Sequence, residues 1–259
     1  MDKEQIITLY DQDQRRDVRY PDSRREASPH IVRHVSTADG GKGVVIHSRL
    51  DVSNAEAVID EQVAYFERLG QDFEWKLYDY DMPADLQARL AAKGFEMQPA
   101  EAIMVLDLAE LPELLAQPVQ HTIVQVQDMA GVRDVVAVEE AVWAEEQGWL
   151  GQYLETTLST EPESMSIYLA YVGGKPVSAG WIYYPPQSQF ASLWGGSTLE
   201  EYRRRGFYGA LLAVRAQEAQ RRGVGYLTVD ASPMSQPILE RFAFAKIADA
   251  YPCKWRVTP

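Results

Sequence analysis

The residues best placed to do chemistry lie between Trp194 and Ala213, in WGGSTLEEYRRRGFYGALLA. Two glycines, an acidic turn and Arg203, Arg204 and Arg205 separate the apolar run Phe190 to Trp194 from a helical pattern carrying Leu211, Leu212 and Val214. The order predicts a strand, a tight loop and a helix N-terminus. Backbone N–H groups in a first helical turn lack intrahelical acceptors and stand at the positive end of the helix dipole, so they attract phosphate. Gly206 and Gly209 let the backbone approach an anion, and the arginines add charge-assisted donors. A diphosphate-bearing ligand suits this loop. Taken alone, a turn beside a solvated arginine face reads equally well.

The rest of the composition narrows the chemistry. Four histidines (His30, His34, His47, His121) are scattered, and the i, i+4 pair His30 and His34 has no H-E-x-x-H or cysteine support, so no metal is expected. The single Cys253 permits no internal disulfide and fits a reducing cytoplasm. Net charge is −13, which argues against a nucleic-acid partner. Residues 1–120 hold 13 basic and 23 acidic side chains, and residues 121–259 hold 12 and 15, so the arginine loop is a local positive point. No apolar run reaches membrane-spanning length and the start lacks a signal-peptide core, so the expectation is a soluble cytoplasmic protein with no membrane partner. A homodimer stays open.

At 259 residues and 46% hydrophobic, the chain can bury one large core or two small ones. Residues 1–38 are polar, and Arg15, Arg16, Arg19, Arg24 and Arg25 among aspartates predict a solvated surface. A glycine turn over 39–43 precedes a strand from Val44 to Leu50. A helix with Ala57, Val58, Val63, Phe66 and Leu69 on one face follows, then a strand over Phe73 to Tyr80 and a short helix ending at Gly94. Ile103 to Leu108 reads as a strand, and 109–121 as a connector.

Beyond the connector the pattern runs strand (Thr122 to Val126), helices (Gly131 to Ala144, Leu150 to Leu158), and strands at Ser166, Val177 and Phe190. The arginine loop leads into a helix to Arg222. A strand (Tyr226 to Asp230), a helix from Ser235 and a closing strand at Lys254 to Val257 complete it. This is an α/β (α+β) unit: a mixed, largely antiparallel sheet flanked by helices.

Arg203-x-x-Gly206 with Tyr208-Gly209-Ala210 resembles the R/Q-x-x-G-x-G/A signature of the GNAT superfamily of N-acetyltransferases, and Pro237 to Phe244 is similar to that family's late "LYEKLGF" segment. The departure is Tyr208, where the family has a small residue. The likeness covers roughly 122–259. Strand–helix–strand–helix recurs in the first half, where Trp75 to Asp79 and Pro83 to Phe95 mirror Tyr226 to Asp230 and Pro237 to Phe244. A tandem arrangement follows, against one extended domain: a degenerate GNAT-like domain over 1–120 and an acetyl-CoA-binding domain over 121–259. The first half's counterpart loop, Arg49 to Glu56, has no glycine, and Asp51 and Glu56 would repel a pyrophosphate.

The resemblance implies that Gly196, Ser197 and Thr198 pair with the pantetheine arm at a splayed strand. Arg204, Arg205, Gly206, Phe207, Tyr208 and Gly209 would cradle the pyrophosphate, with Arg203 serving the loop or the nucleotide's phosphates and Ser232 where an Asn is common. It implies acetyl-CoA as co-substrate and a primary amine, a small molecule, as acceptor. The family's thiolate-protonating Tyr is Leu239 here; with a thiol pKa near 8.5 the leaving group needs little acid help. Ser235 is a candidate donor or helix cap. For the base, Glu146, Glu145 and Asp230 are candidates, with Glu146 preferred. Trp143, Trp149, Tyr153 and Trp181 could receive a cationic amine or be core. A non-catalytic acyl-CoA-binding or regulatory module is the alternative function.

Overall fold

The computed structural model describes residues 2–38 and 40–257. Packing divides the chain into two units. The first holds Met1–Met104, Asp230–Leu239 and Ala245–Pro259; the second holds Val105–Val229 and Glu240–Phe244. Of the turn expected over 39–43, Asp39 lies outside the described residues.

The first unit begins with helix α1 (Lys3–Tyr10), capped by Asp2, whose carboxylate accepts from Glu4 N–H at 3.1 Å. A π-helical segment, Asp11–Arg16, continues it. Strands β1 (Ser23–Ala27), β2 (Ile31–Ser36) and β3 (Gly43–Ser48), helix α2 (Ala55–Leu69), strand β4 (Phe73–Tyr78), helix α3 (Leu86–Ala92) and the short β5 (Glu96–Met97) follow. The chain passes to the second unit along β6 (Glu101–Asp107).

Residues 1–38, expected as surface, therefore contribute a helix and two strands, and they bury Ile6, Tyr10, Val18, Val32 and Val35. Arg15 also departs from expectation: it is only 1% exposed. Two carboxylates make that burial tolerable, since Arg15 bonds Asp11 (2.6 Å) and, in bidentate fashion, Asp81 (2.9 and 2.8 Å). The unit's core stacks Phe66 on Phe73 at 4.3 Å, with Trp75, Leu86, Leu90, Phe95 and Trp255 around them.

The second unit contains α4 (Glu113–Ala116), β7 (Ile123–Gln125), α5 (Met129–Trp143), α6 (Gly148–Thr160), β8 (Met165–Val172), β9 (Lys175–Tyr183), β10 (Phe190–Thr198) and α7 (Phe207–Arg221). Then come β11 (Tyr226–Ala231), α8 (Gln236–Glu240) and β12 (Ala245–Trp255), of which β12, α8 up to Leu239 and the last two residues of β11 belong to the first unit. The connector is not wholly irregular: Leu115 of α4 is buried, and Gln217 of α7 donates to the Leu115 and Gln117 carbonyls at 2.7 and 2.9 Å.

Each unit's sheet is antiparallel except at one place. In the first, the order is β1-β2-β3-β4-β12 with β3 parallel to β4; in the second, β11-β10-β9-β8-β7 with β10 parallel to β11. The closing strand is longer than expected, and it pairs with β4 from Ala250–Tyr78 to Trp255–Phe73. The two parallel pairs have the same form. β3 meets β4 only over Gly43–Val45 with Phe73–Trp75, and β10 meets β11 only over Phe190–Ser192 with Tyr226–Thr228. Past those three residues each pair diverges.

Candidate functional site

β10 carries a bulge beyond its paired stretch. Its register against β9 shifts between Gly195 and Ser197, and Gly195 and Gly196 have φ of +68° and +87°. A side chain is excluded at both. A Cβ on Gly195 would lie 2.5 Å from the Trp181 ring, and one on Gly196 would lie 3.0 Å from the Tyr208 ring. Trp181 is thus a buried wall of the bulge and not part of an open acceptor surface. The bulge aims backbone off the β9 ladder, at the edge from which β11 has diverged.

Arg215 holds the bulge from beneath. Only 2% exposed, it donates Nη1 to the carbonyls of Trp181 and Trp194, both at 3.1 Å, and Nε to Leu211 at 3.0 Å. Burial pushes this guanidinium down to about 10, against the opposing influence of Tyr208, Tyr184 and Tyr168.

The loop after β10 ends in an uncapped helix. Gly206 (φ +86°) is the N-cap of α7, and among the described residues no side-chain cap bonds the amides of its first turn. Arg204 is held at φ +61°, a costly conformation for a non-glycine residue. Arg203 donates Nε to the Thr198 carbonyl at 3.2 Å, which fastens the loop to the strand. The Arg205 guanidinium lies 5.2 Å over the Tyr202 ring. All three arginines are exposed, while Phe207 is buried.

His121 is a loop residue that the sequence did not single out. Its Nε2–H donates to the Arg205 carbonyl at 2.9 Å, and its ring meets Phe207 edge-on at 4.5 Å. It props the turn from behind.

Glu139 of α5 was also missed. It is 4% exposed and accepts from Ser197 Oγ–H at 2.7 Å and from Trp143 Nε1–H at 2.9 Å, both on Oε2. Burial raises its pKa, partly offset by those two bonds. Ser197 in turn gives its carbonyl to Ser178 Oγ–H at 2.7 Å, and Thr198 Oγ1 shares a hydrogen bond with the same hydroxyl at 2.7 Å. The available signal was a carboxylate on the helix face of Val132 and Val135, at i+7 and i+4.

Other expected site residues stand elsewhere. Glu146 and Glu145 are exposed in the turn between α5 and α6. Asp230 is taken by an ion pair with Lys76 in the first unit. Ser232 and Ser235 belong to the segment Asp230–Leu239, which packs with the first unit. Ser235 Oγ–H donates to the Ser232 carbonyl at 3.2 Å, and Ser232 Oγ accepts from Ser235 N–H at 3.3 Å, so Ser232 does the capping expected of Ser235. Leu239 is fully buried.

The first unit's counterpart loop is closed by its own carboxylate. Asp51 Oδ1 accepts from the N–H groups of Ser53 (2.7 Å) and Asn54 (3.1 Å) and from Ser53 Oγ–H (2.5 Å), at the head of α2. These bonds hold its carboxyl below the usual range.

Residues 133–244 match the sequence profile of the acetyltransferase (GNAT) family. This stretch is similar to a GNAT acetyltransferase domain. The family uses acetyl-CoA, and the matched residues contain the Gly195–Ser197 bulge, the arginine loop and Glu139.

Solved structures extend the likeness to the whole chain. A GCN5-related N-acetyltransferase from Kribbella flavida superposes with a TM-score of 0.68 at 14% identity, covering 97% of this chain and 93% of that one. A tandem GNAT protein from the clavulanic acid biosynthesis pathway gives 0.65 at 13% identity, with 93% and 86% covered. At such identities the likeness is one of fold: a mixed GNAT sheet in a tandem-like arrangement. No curated protein matches the chain. Among the described residues no group of His, Cys, Asp and Glu could hold a metal, and no helix is long and apolar enough to cross a membrane.

Proposed function

We propose that the GNAT domain transfers acetyl from acetyl-CoA to the nitrogen of a primary amine, with a small molecule as acceptor. The observation that carries this reading is the juxtaposition of an open strand edge and an uncapped helix. β10 leaves β11 at Ser192, and its bulge lies against Tyr208 in the first turn of α7. A pantetheine arm can pair with the freed backbone of Gly196 to Thr198. The diphosphate then meets the amides of Phe207, Tyr208 and Gly209, with Arg204 and Arg205 at the mouth.

Tyr208 fits this ligand despite its size. Its ring lies against Gly196 of the bulge, so this departure from the family signature packs on the strand. A backbone N–H on the bulge is the group to stabilise the developing oxyanion, and Arg215 beneath it keeps the bulge rigid. Leu239 supplies no proton to the leaving thiolate, which leaves readily as the anion.

The test is thiol release from acetyl-CoA, corrected for hydrolysis, with spermidine, kanamycin, free amino acids and a short peptide. Turnover with at least one amine supports the reading. Binding of acetyl-CoA with no turnover on any of them favours a non-catalytic acyl-CoA-binding module instead.

A further inference from the structure

We propose that Glu139 is the group that takes the proton from the acceptor, and that the acceptor enters as a primary ammonium beside Trp143. This rests on the acetyltransferase reading above and adds to it the base and the charge of the substrate.

Glu139 carries an unmet hydrogen bond. Glu139 is buried, and both of its donors, Ser197 and Trp143, go to Oε2; Oε1 is buried with no partner. An ionised carboxylate has about four acceptor sites, and buried ones are filled in the great majority of proteins. A carboxylate oxygen left bare in the interior needs a donor, and a cationic N–H is the strongest available.

Its position points to chemistry. Ser197 is the residue that follows the bulge on β10, so Glu139 is anchored to the strand whose open edge would carry the thioester. Trp143 shares Oε2, reaches Ser197 Oγ at 3.2 Å, and presents an indole that is 60% exposed. A cation beside that ring gains attraction from its π face.

The electrostatics agree. β8, β9, β10 and α6 pack against α5, and the only groups that oppose the upward push of burial are the Ser197 hydroxyl and the Trp143 N–H. Burial therefore leaves the carboxylate more basic than an exposed one and suits it to proton transfer nearer neutrality. Glu145 and Glu146, exposed in the next turn, have no such environment.

The step balances. Glu139 as carboxylate accepts one proton from R–NH3+, freeing the nitrogen lone pair. The nitrogen bonds to the acetyl carbon and the carbon–sulfur bond breaks, with the electron pair leaving on sulfur. The second N–H proton neutralises the thiolate, and Glu139 returns its proton to solvent.

The experiment compares wild type with Glu139→Gln, which keeps an oxygen for Ser197 and Trp143 and so preserves the tie between α5 and β10. Acetyl-CoA affinity and a pH profile of kcat/KM are measured with the amine from the panel that turns over fastest. The expected result is an unchanged Kd for acetyl-CoA, a fall in kcat of about 100-fold or more, and loss of the acid limb. Activity within threefold of wild type with the acid limb intact overturns the proposal, because a purely structural tie predicts that outcome. The second measurement needs neither turnover nor a folded variant: the 13C resonance of the Glu139 carboxyl is titrated in wild type with and without spermidine. A midpoint above the ordinary carboxylate range that falls when spermidine is present supports the assignment; an ordinary midpoint that spermidine leaves unmoved refutes it. Failure of acetyl-CoA to bind wild type would instead sink the acetyltransferase reading, and the titration would still decide the role of Glu139.

Discussion

Arg15 Nε–H donates to the carbonyl of Ile46 at 3.0 Å, at the first residue of β3 beyond its pairing with β4. The same guanidinium lies 3.9 Å over the Tyr78 ring at the end of β4 and grips Asp81, whose other role is to accept the Tyr78 N–H at 3.0 Å. The divergence of β3 and β4 is therefore bridged by a side chain. Near the corresponding divergence of β10 and β11, Arg215 supports the neighbouring bulge. Together with Asp51, whose carboxylate already occupies the amides at the head of α2, this distinguishes the two repeats in physical terms.

Replacing Arg15 with Met should destabilise the first unit. Asp81 and Asp11 would lose their cation, and removing one partner of a buried pair costs about 3–5 kcal/mol. Urea unfolding should register that loss while acetyl-CoA affinity stays within twofold; a change below about 1 kcal/mol would mean that the pair contributes little.

Gly195→Ala should be among the worst small substitutions in the second unit. The residue would sit at φ +68° with its Cβ against the buried Trp181 ring, so about 2 kcal/mol of stability should disappear. Gly173→Ala, at φ +57° in an open turn, serves as the control and should cost less, because nothing lies within 4 Å of its Cβ.

His121→Phe keeps the ring beside Phe207 but deletes the bond to the Arg205 carbonyl. One hydrogen bond of about 0.5–1.5 kcal/mol should then be missing from the loop, which weakens acetyl-CoA binding roughly 2–10-fold in calorimetry. Unchanged affinity would show that the turn holds itself.

His34 supplies a pH dependence. It is 1% exposed, and burial, helped by Arg25 and Arg19, lowers its pKa to about 4, although a backbone bond near Val18 opposes the shift. The unfolded chain binds this proton first, near pH 6.5, so stability is full above that value and declines as pH falls towards 4. The decline should reach about 3 kcal/mol and be absent in His34→Gln, as denaturant midpoints across pH 4–7 would reveal.

Much of this was legible in the chain. The apolar run and glycine spacing around Phe190 to Gly209 announced strand, loop and helix, and the expected order of elements was found from Ile123 onward. What escaped had distant causes. Arg15 looks solvated among aspartates because the partners that bury it, Ile46 and Asp81, stand 31 and 66 residues away. Glu139 was passed over for exposed neighbours because the partner that fixes it, Ser197, stands 58 residues on. The destination of β12 is set by pairing with β4, for which no local pattern exists.

The central claim is that a diphosphate binds at the amides and arginines that open α7. The most direct measurement is the melting temperature with and without acetyl-CoA, for wild type and for Arg204→Glu with Arg205→Glu. At about 100 times Kd the ligand should add about 2.7 kcal/mol to the wild type, a rise of roughly 5 °C or more, and the charge-reversed protein should show little or none of it. An absent rise in wild type, or an equal rise in both proteins, would contradict the account.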